Sequence, residues 1–129
     1  MRLLLDTHAW LWMVAEPERL SRRARKVLEN AGNELLLSAA SAWEISIKHA
    51  LGRIDLGGAP ERRLPDLMQQ TAVASLAVTQ PHAILAGQLP RHHADPFDRL
   101  LIAQASIEGI AVVTRDAAFR DYAIETITA

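Results

Sequence analysis

Cysteine is absent from the 129 residues. Disulfides and thiolate metal sites are therefore excluded, and a metal would have to be held by oxygen or imidazole. A chain without cysteine fits a cytoplasmic location, which is the expectation. No apolar run in the sequence approaches the ~20 residues of a bilayer span, so no membrane role is expected. The first residues also lack a basic segment followed by a signal-type apolar core, because Asp6 and His8 interrupt the run. Charge of one sign is not in excess either: the formal net charge is −1. Such a chain does not bind nucleic acid through bulk positive charge, so any activity on it must rest on local arginines and a metal.

What is present is an ordinary globular balance, 50% hydrophobic and 22% charged residues. The length suffices for one real core and is short for two, so one domain over 1–129 is expected. Leu3-Leu4-Leu5 is an unbroken apolar run stopped by Asp6 and Thr7, the mark of a strand buried on both faces. Trp10, Leu11, Met13 and Val14 then begin a helical pattern. Pro17 and a Ser21 cap open a second helix, where Arg22, Arg23, Arg25 and Lys26 alternate with Ala24, Val27 and Leu28. Its basic face reads as a solvated surface or as a phosphate contact. Further strands are expected over 34–37, 75–78, 110–114 and 123–128. Helices are expected over 39–51, 64–72, 81–87 and 95–109, with a short one opening at Asp116. No internal repeat or low-complexity segment interrupts the order. Strands alternating with helices imply an α/β fold, a parallel sheet with helices on both faces in three layers.

Four acids fall at the punctuation of this pattern. Asp6 ends the first strand, Glu44 lies in the helix after the second, Asp98 lies in the first turn of the helix opened by Asp95-Pro96, and Asp116 follows the strand ending at Thr114. Each has a helix-capping alternative, and Ser41-Ala42-Trp43-Glu44 even has capping-box spacing. Two of them, however, share helix faces expected to pack inward: Glu44 with Ala40, Ile47 and Leu51, and Asp98 with Leu101, Ile102 and Ala105. A carboxylate on a core-facing stripe is costly unless paired or metal-bound, and four converging acids repel. A divalent cation resolves both difficulties, and hard oxygen ligands indicate Mg²⁺ or Mn²⁺. His92-His93 is a second metal-ligand candidate or simply a loop at the site mouth. Trp10, Trp12 and Trp43 are expected in the core or an interface rather than as platforms for bases.

The runs Leu5-Asp6-Thr7-His8-Ala9-Trp10-Leu11-Trp12, Ser41-Ala42-Trp43-Glu44-Ile45, His93-Ala94-Asp95-Pro96-Phe97-Asp98-Arg99-Leu100-Leu101-Ile102-Ala103-Gln104-Ala105 and Val113-Thr114-Arg115-Asp116 resemble PIN-domain proteins. More narrowly, they resemble the VapC-type toxins of bacterial toxin–antitoxin pairs. The resemblance implies a metal-dependent endoribonuclease with an acidic site on a parallel sheet. It implies that Asp6, Glu44, Asp98 and Asp116 are the site acids, with Asp95 a weaker match. It also implies an RNA substrate, a VapB-type antitoxin that blocks the site, and a homodimer.

The chemistry expected is phosphodiester hydrolysis by an activated water, with Asp6, Asp98 and Asp116 as ligands of Mg²⁺ or Mn²⁺ and Glu44 completing the site. Thr7 and Thr114 are placed to orient carboxylates, and Arg99 and Arg115 are candidates for phosphate contact. Two other classes fit the fold. A phosphotransfer domain would need a lysine after a late strand, and the only lysines are Lys26 and Lys48. A scaffold that keeps the fold without catalysis would have no need of the acids or of a metal.

Overall fold

The computed structural model describes residues 1–129. The chain runs β1 (Arg2–Leu5), α1 (Thr7–Ala15), a 3₁₀ turn (Pro17–Arg19), α2 (Arg22–Glu29), β2 (Glu34–Ser38) and α3 (Ala39–Ala50). It continues with α4 (Pro60–Gln70), β3 (Val73–Leu76), α5 (Gln80–Gln88), α6 (Pro96–Glu108), β4 (Ala111–Thr114), a second 3₁₀ turn (Ala117–Asp121) and β5 (Thr126–Thr128). The strands form one sheet in the order β3-β2-β1-β4-β5. All four pairings are parallel.

The central strand explains the layering. Leu3, Leu4 and Leu5 are all fully buried. Successive strand side chains point to opposite faces, so such a run needs cover on both. Leu3 and Leu5 join Trp10, Ala24, Ile45, Leu64 and Leu67 in one core. Leu4 joins Leu101, Ile102, Val112 and Phe119 in the other. This is the three-layer arrangement that the alternation of strands and helices implies. No helix is long and apolar enough to cross a membrane.

The differences lie toward the edges of the sheet. β3 starts two residues earlier than the expected 75–78, with Val73 paired to Leu35 and Leu76 to Ser38. It is an edge strand in which only its first and last residues are buried, so the apolar pattern locates it poorly. The turn before it places Ala72 in the left-handed region at φ 55°, which sharpens the entry into the strand. α4 opens at Pro60 rather than at 64, because a proline at the first helical position needs no amide partner. β5 is shorter than 123–128, since only Thr126 to Thr128 pair with β4.

Parallel pairing aligns the carboxyl ends of the strands. Open α/β sheets place their ligand crevice outside that edge. Asp6 follows β1 there, and Asp116 follows the neighbouring β4 two residues after its last, Thr114.

Candidate active site

Asp6 sits just past the last residue of β1, and its backbone N–H still donates to the carbonyl of Val113 at 3.0 Å. Its backbone is extended, so the carboxylate turns back over the first turn of α1. Oδ1 accepts the amide of Ala9 at 2.7 Å, which caps the helix. Oδ2 accepts the hydroxyl of Thr114 at 2.5 Å. Asp6 therefore caps a helix and faces the other acids at once, because a carboxylate has two oxygens. It is only 4% exposed. Burial pushes its carboxyl above the ordinary range, and the Thr114 and Ala9 bonds pull the other way.

Thr114 joins two acids. While its hydroxyl donates to Asp6, its oxygen accepts the amide of Asp116 at 3.0 Å. Asp116 in turn caps the second 3₁₀ turn, Oδ1 accepting the amide of Ala118 at 2.9 Å. Oδ2 is left facing the cluster.

Asp98 is in the first turn of α6, and the cap there is Asp95, whose Oδ1 accepts the amides of Phe97 and Asp98 at 2.9 and 3.1 Å. The side chain of Asp98 shares its helix face with Leu101, Ile102 and Ala105, all buried as the pattern implied. Burial pushes its carboxyl up to about 7. The charges of Asp95, Asp6 and Glu44 add to the rise and His93 opposes it. The same contributions show that Asp6 and Glu44 lie within electrostatic reach of Asp98.

Glu44 stands differently. The cap of α3 is Ser38, which accepts the amide of Ala40 at 3.0 Å, so the Ser41–Glu44 spacing is not a capping box. Glu44 is buried beside Ala40, Ser41 and Ile45. The expected companions Ile47 and Leu51 instead point outward, 38% and 62% exposed, as does Trp43. The inward face of α3 is thus rotated from the one the apolar spacing suggested. Oε1 accepts the hydroxyl of Thr7 at 2.7 Å, and Oε2 pairs with Lys48 at 2.8 Å. Ser41 Oγ extends the network, 2.9 Å from the Thr7 hydroxyl.

His93 is the contributor whose role in the site the sequence left open. Nε2 lies 2.9 Å from Oδ2 of Asp98 and 2.9 Å from Oδ2 of Asp116. Nδ1 accepts the amide of Asp95 at 3.3 Å. A neutral ring with Nδ1 as acceptor carries its proton on Nε2, so the proton points at the acid pair. The ring packs edge-on against Phe119, and Tyr122 Oη accepts the amide of His93 at 2.9 Å. His92 instead packs edge-on against Tyr122, with ring centroids 5.1 Å apart.

Arg99 corrects the expectation of a phosphate contact. Its Nε and Nη2 donate to Ala86 O at 3.1 and 2.8 Å, and Nη2 also donates to Leu89 O at 2.8 Å. Nη1 donates to Pro90 O and His93 O, each at 3.1 Å. The guanidinium is consumed in tying the end of α5 and the following loop to α6. In doing so it joins the loop that carries His93 to the turn that carries Asp98. A carbonyl cradle of this kind leaves no periodic sign in a sequence.

The donor chemistry suits a hard divalent ion. One ligand atom each from His93, Asp98 and Asp116 can be chosen so that all lie within 4.8 Å of one another. Asp6, on the same sheet edge, presents a further buried oxygen. Apart from Lys48 on Glu44, no lysine or arginine pairs with any of the four acids. Carboxylate oxygens without a lysine or arginine beside them are hard donors of the kind that suit a divalent ion.

Similarity to known proteins covers nearly the whole chain. The PIN domain family model matches residues 3–125. The ribonuclease VapC22 of Mycobacterium tuberculosis is 36% identical over 125 residues, 93% of this chain and 91% of that protein. Among solved structures, the fold resembles a chain of VapBC2 from Rickettsia felis, crystallised on a fragment of promoter DNA, with TM-score 0.72 and 13% identity, covering 98% of each chain. It also resembles a chain of the DNA-bound VapBC of Salmonella typhimurium, with TM-score 0.70 and 20% identity, covering 98% of this chain and 97% of that one. A shared sheet order alone would leave many folds open, but here the match runs from the first strand to within four residues of the end, and the chain belongs to the PIN domain family.

Proposed function

We propose that the protein is a metal-dependent endoribonuclease and the toxin of a toxin–antitoxin pair, hydrolysing RNA phosphodiester bonds with an activated water. The observation that carries the reading is Asp98, a carboxyl on the inward face of α6 raised to about 7 with no lysine or arginine beside it. A carboxylate kept in that position is costly to ionise without a cation. Asp6, Asp98 and Asp116 would hold Mg²⁺ or Mn²⁺, and Glu44 would complete the site. The ion supplies positive charge at the scissile phosphate and lowers the pKa of water.

The chain's own groups do the rest by placement. Thr114 fixes Asp6 and Asp116 together through one hydroxyl. Thr7 and Lys48 hold Glu44 in one orientation through a hydrogen bond to one oxygen and an ion pair to the other. His93 presents an N–H to the Asp98 and Asp116 oxygens from a loop fastened by Arg99 and Tyr122.

The name of the M. tuberculosis relative supports RNA as substrate, and the VapBC neighbours support a VapB-type antitoxin as partner. The outward strip of Trp43, Ile47 and Leu51 on α3 supports a homodimer. The setting in this reading is the cytoplasm, with 1–129 acting as one domain. The test is cleavage of structured RNAs by the purified protein. Products should form in Mg²⁺ or Mn²⁺ and vanish in EDTA, and robust cleavage in excess EDTA contradicts the mechanism. Expression alone should slow host growth, while the Asp6→Asn form is tolerated. Equal harmlessness of the two counts against the toxin role.

A further inference from the structure

Trp12 carries two cations. The guanidinium of Arg19 lies over its ring at 4.6 Å from the centroid, and that of Arg115 at 5.0 Å. Arg19 has a carboxylate partner, Glu16, at 3.1 Å. Arg115 has no hydrogen-bond or ion-pair partner in the protein and is exposed. Two like charges above one ring repel each other, and only one of them is balanced. A guanidinium laid on an aromatic face keeps its N–H donors directed outward in its own plane, the geometry that grips a phosphate with two parallel bonds.

Position makes this arrangement part of the site's surroundings. Arg115 stands between Thr114, which bonds Asp6, and Asp116. Trp12 lies on α1, the helix capped by Asp6. Six residues of helix separate Trp12 from Asp6, about 9 Å at 1.5 Å per residue. The ring itself is partly buried against the core that contains Leu3 and Leu5, so it is a rigid support. The arginines over it make it a seat for charge rather than an open surface for a base.

We infer that Arg115, held over Trp12, is the anchor for a backbone phosphate of single-stranded RNA flanking the scissile bond, with Arg19, at the end of the 3₁₀ turn after α1, extending the track. This deepens the nuclease reading and rests on it. It also gives the place in the fold where a chain of net charge −1 concentrates positive charge beside an acidic site.

The test measures binding of a fluorescein-labelled single-stranded RNA oligonucleotide in EDTA across a salt series, and cleavage of the same RNA in Mn²⁺. Arg115→Ala should weaken binding about tenfold and lower the salt slope by about 0.7, the share of one single-strand phosphate contact. It should raise KM by a similar factor. Arg115→Lys should recover the slope and only part of the affinity, because the ammonium keeps the charge but not the stacked fork. Arg2→Ala removes an equal charge from the opposite, amino-terminal edge of the sheet, where Arg2 opens β1 beside Glu34, and should leave binding within about twofold. If Arg115→Ala binds and cuts like the wild type, the anchor is refuted, and the face is left for a protein partner. If Arg2→Ala is as damaging as Arg115→Ala, the contact is bulk charge and the anchor is again refuted. If the wild-type protein neither binds nor cuts RNA, the nuclease reading fails and takes the anchor with it.

Discussion

The two sides of the acidic cluster are built on opposite plans. On one side Glu44 is buried but finished: a threonine hydroxyl at 2.7 Å, a lysine at 2.8 Å, and both partners fixed by α1 and α3. On the other side Asp6, Asp98 and Asp116 have hydroxyl, amide and imidazole neighbours but no lysine or arginine. Burial raises the proton affinity of Asp6 and Asp98 there. The difference teaches where charge is missing. A buried acid that already has its cation does not need a metal, whereas a buried acid among acids does. In the proposed reading the ion would therefore belong to the Asp6–Asp98–Asp116 side, with Glu44 closing the site from across it.

The sharpest break of that comparison is Asp98→Asn, which should cut RNA cleavage about 100-fold or more, at least the loss seen when groups that merely support a ligand are removed. The same variant has an opposite effect on stability. An acid whose folded pKa is raised binds more protons folded than unfolded, so it costs stability above the folded value of about 7. That cost shrinks as pH falls from about 7 toward the unfolded value. In metal-free buffer Asp98→Asn should thus raise Tm above neutral pH and lose the advantage near pH 4, which thermal unfolding across pH reads directly. A variant that is destabilised at pH 8 yet fully active would make Asp98 a helix-end charge and no more.

A smaller effect is expected when Arg99 becomes Lys. The ammonium cannot reach four carbonyls at once, so the variant should lose about 1.5–3 kcal/mol of stability in denaturant unfolding and should loosen the His93 loop. Unchanged stability would mean the carbonyls are satisfied without the guanidinium.

On the finished side, Lys48→Met should cost about 1–3 kcal/mol, because Glu44 is left buried with one oxygen unpaired. Glu44→Gln should weaken Mn²⁺ affinity by about tenfold, the effect of a supporting group, where Asp98→Asn removes it. Calorimetric titration of the two variants orders them, and a reversed order would place the ion beside Glu44.

The sequence displayed what depends on period and stop. Leu3-Leu4-Leu5 and Leu35-Leu36-Leu37 read as central strands because burial on both faces leaves an unbroken apolar run. Asp6 and Asp116 read as site residues because a polar residue ends each run. Cap and ligand are not exclusive at either position, because one carboxylate oxygen caps while the other is directed elsewhere. β3 was misplaced because Ala74 and Ser75 face solvent on an edge strand and carry no pattern. The face of α3 was misread because Ile47 and Leu51 are apolar yet outward, and hydrophobicity does not say whether the partner lies in the same chain. The contacts that His93 and Arg99 make were illegible for another reason. Each residue acts through contacts between a loop and a helix start, and such contacts have no spacing to betray them.

The most direct test of where the charge is missing is anomalous X-ray scattering from crystals of the wild-type protein soaked in Mn²⁺. The account predicts a peak bounded by the carboxylates of Asp6, Asp98 and Asp116, with Glu44 still paired to Lys48. A peak seated on Glu44 with Lys48 displaced, or none among the three aspartates at saturating Mn²⁺, would contradict it.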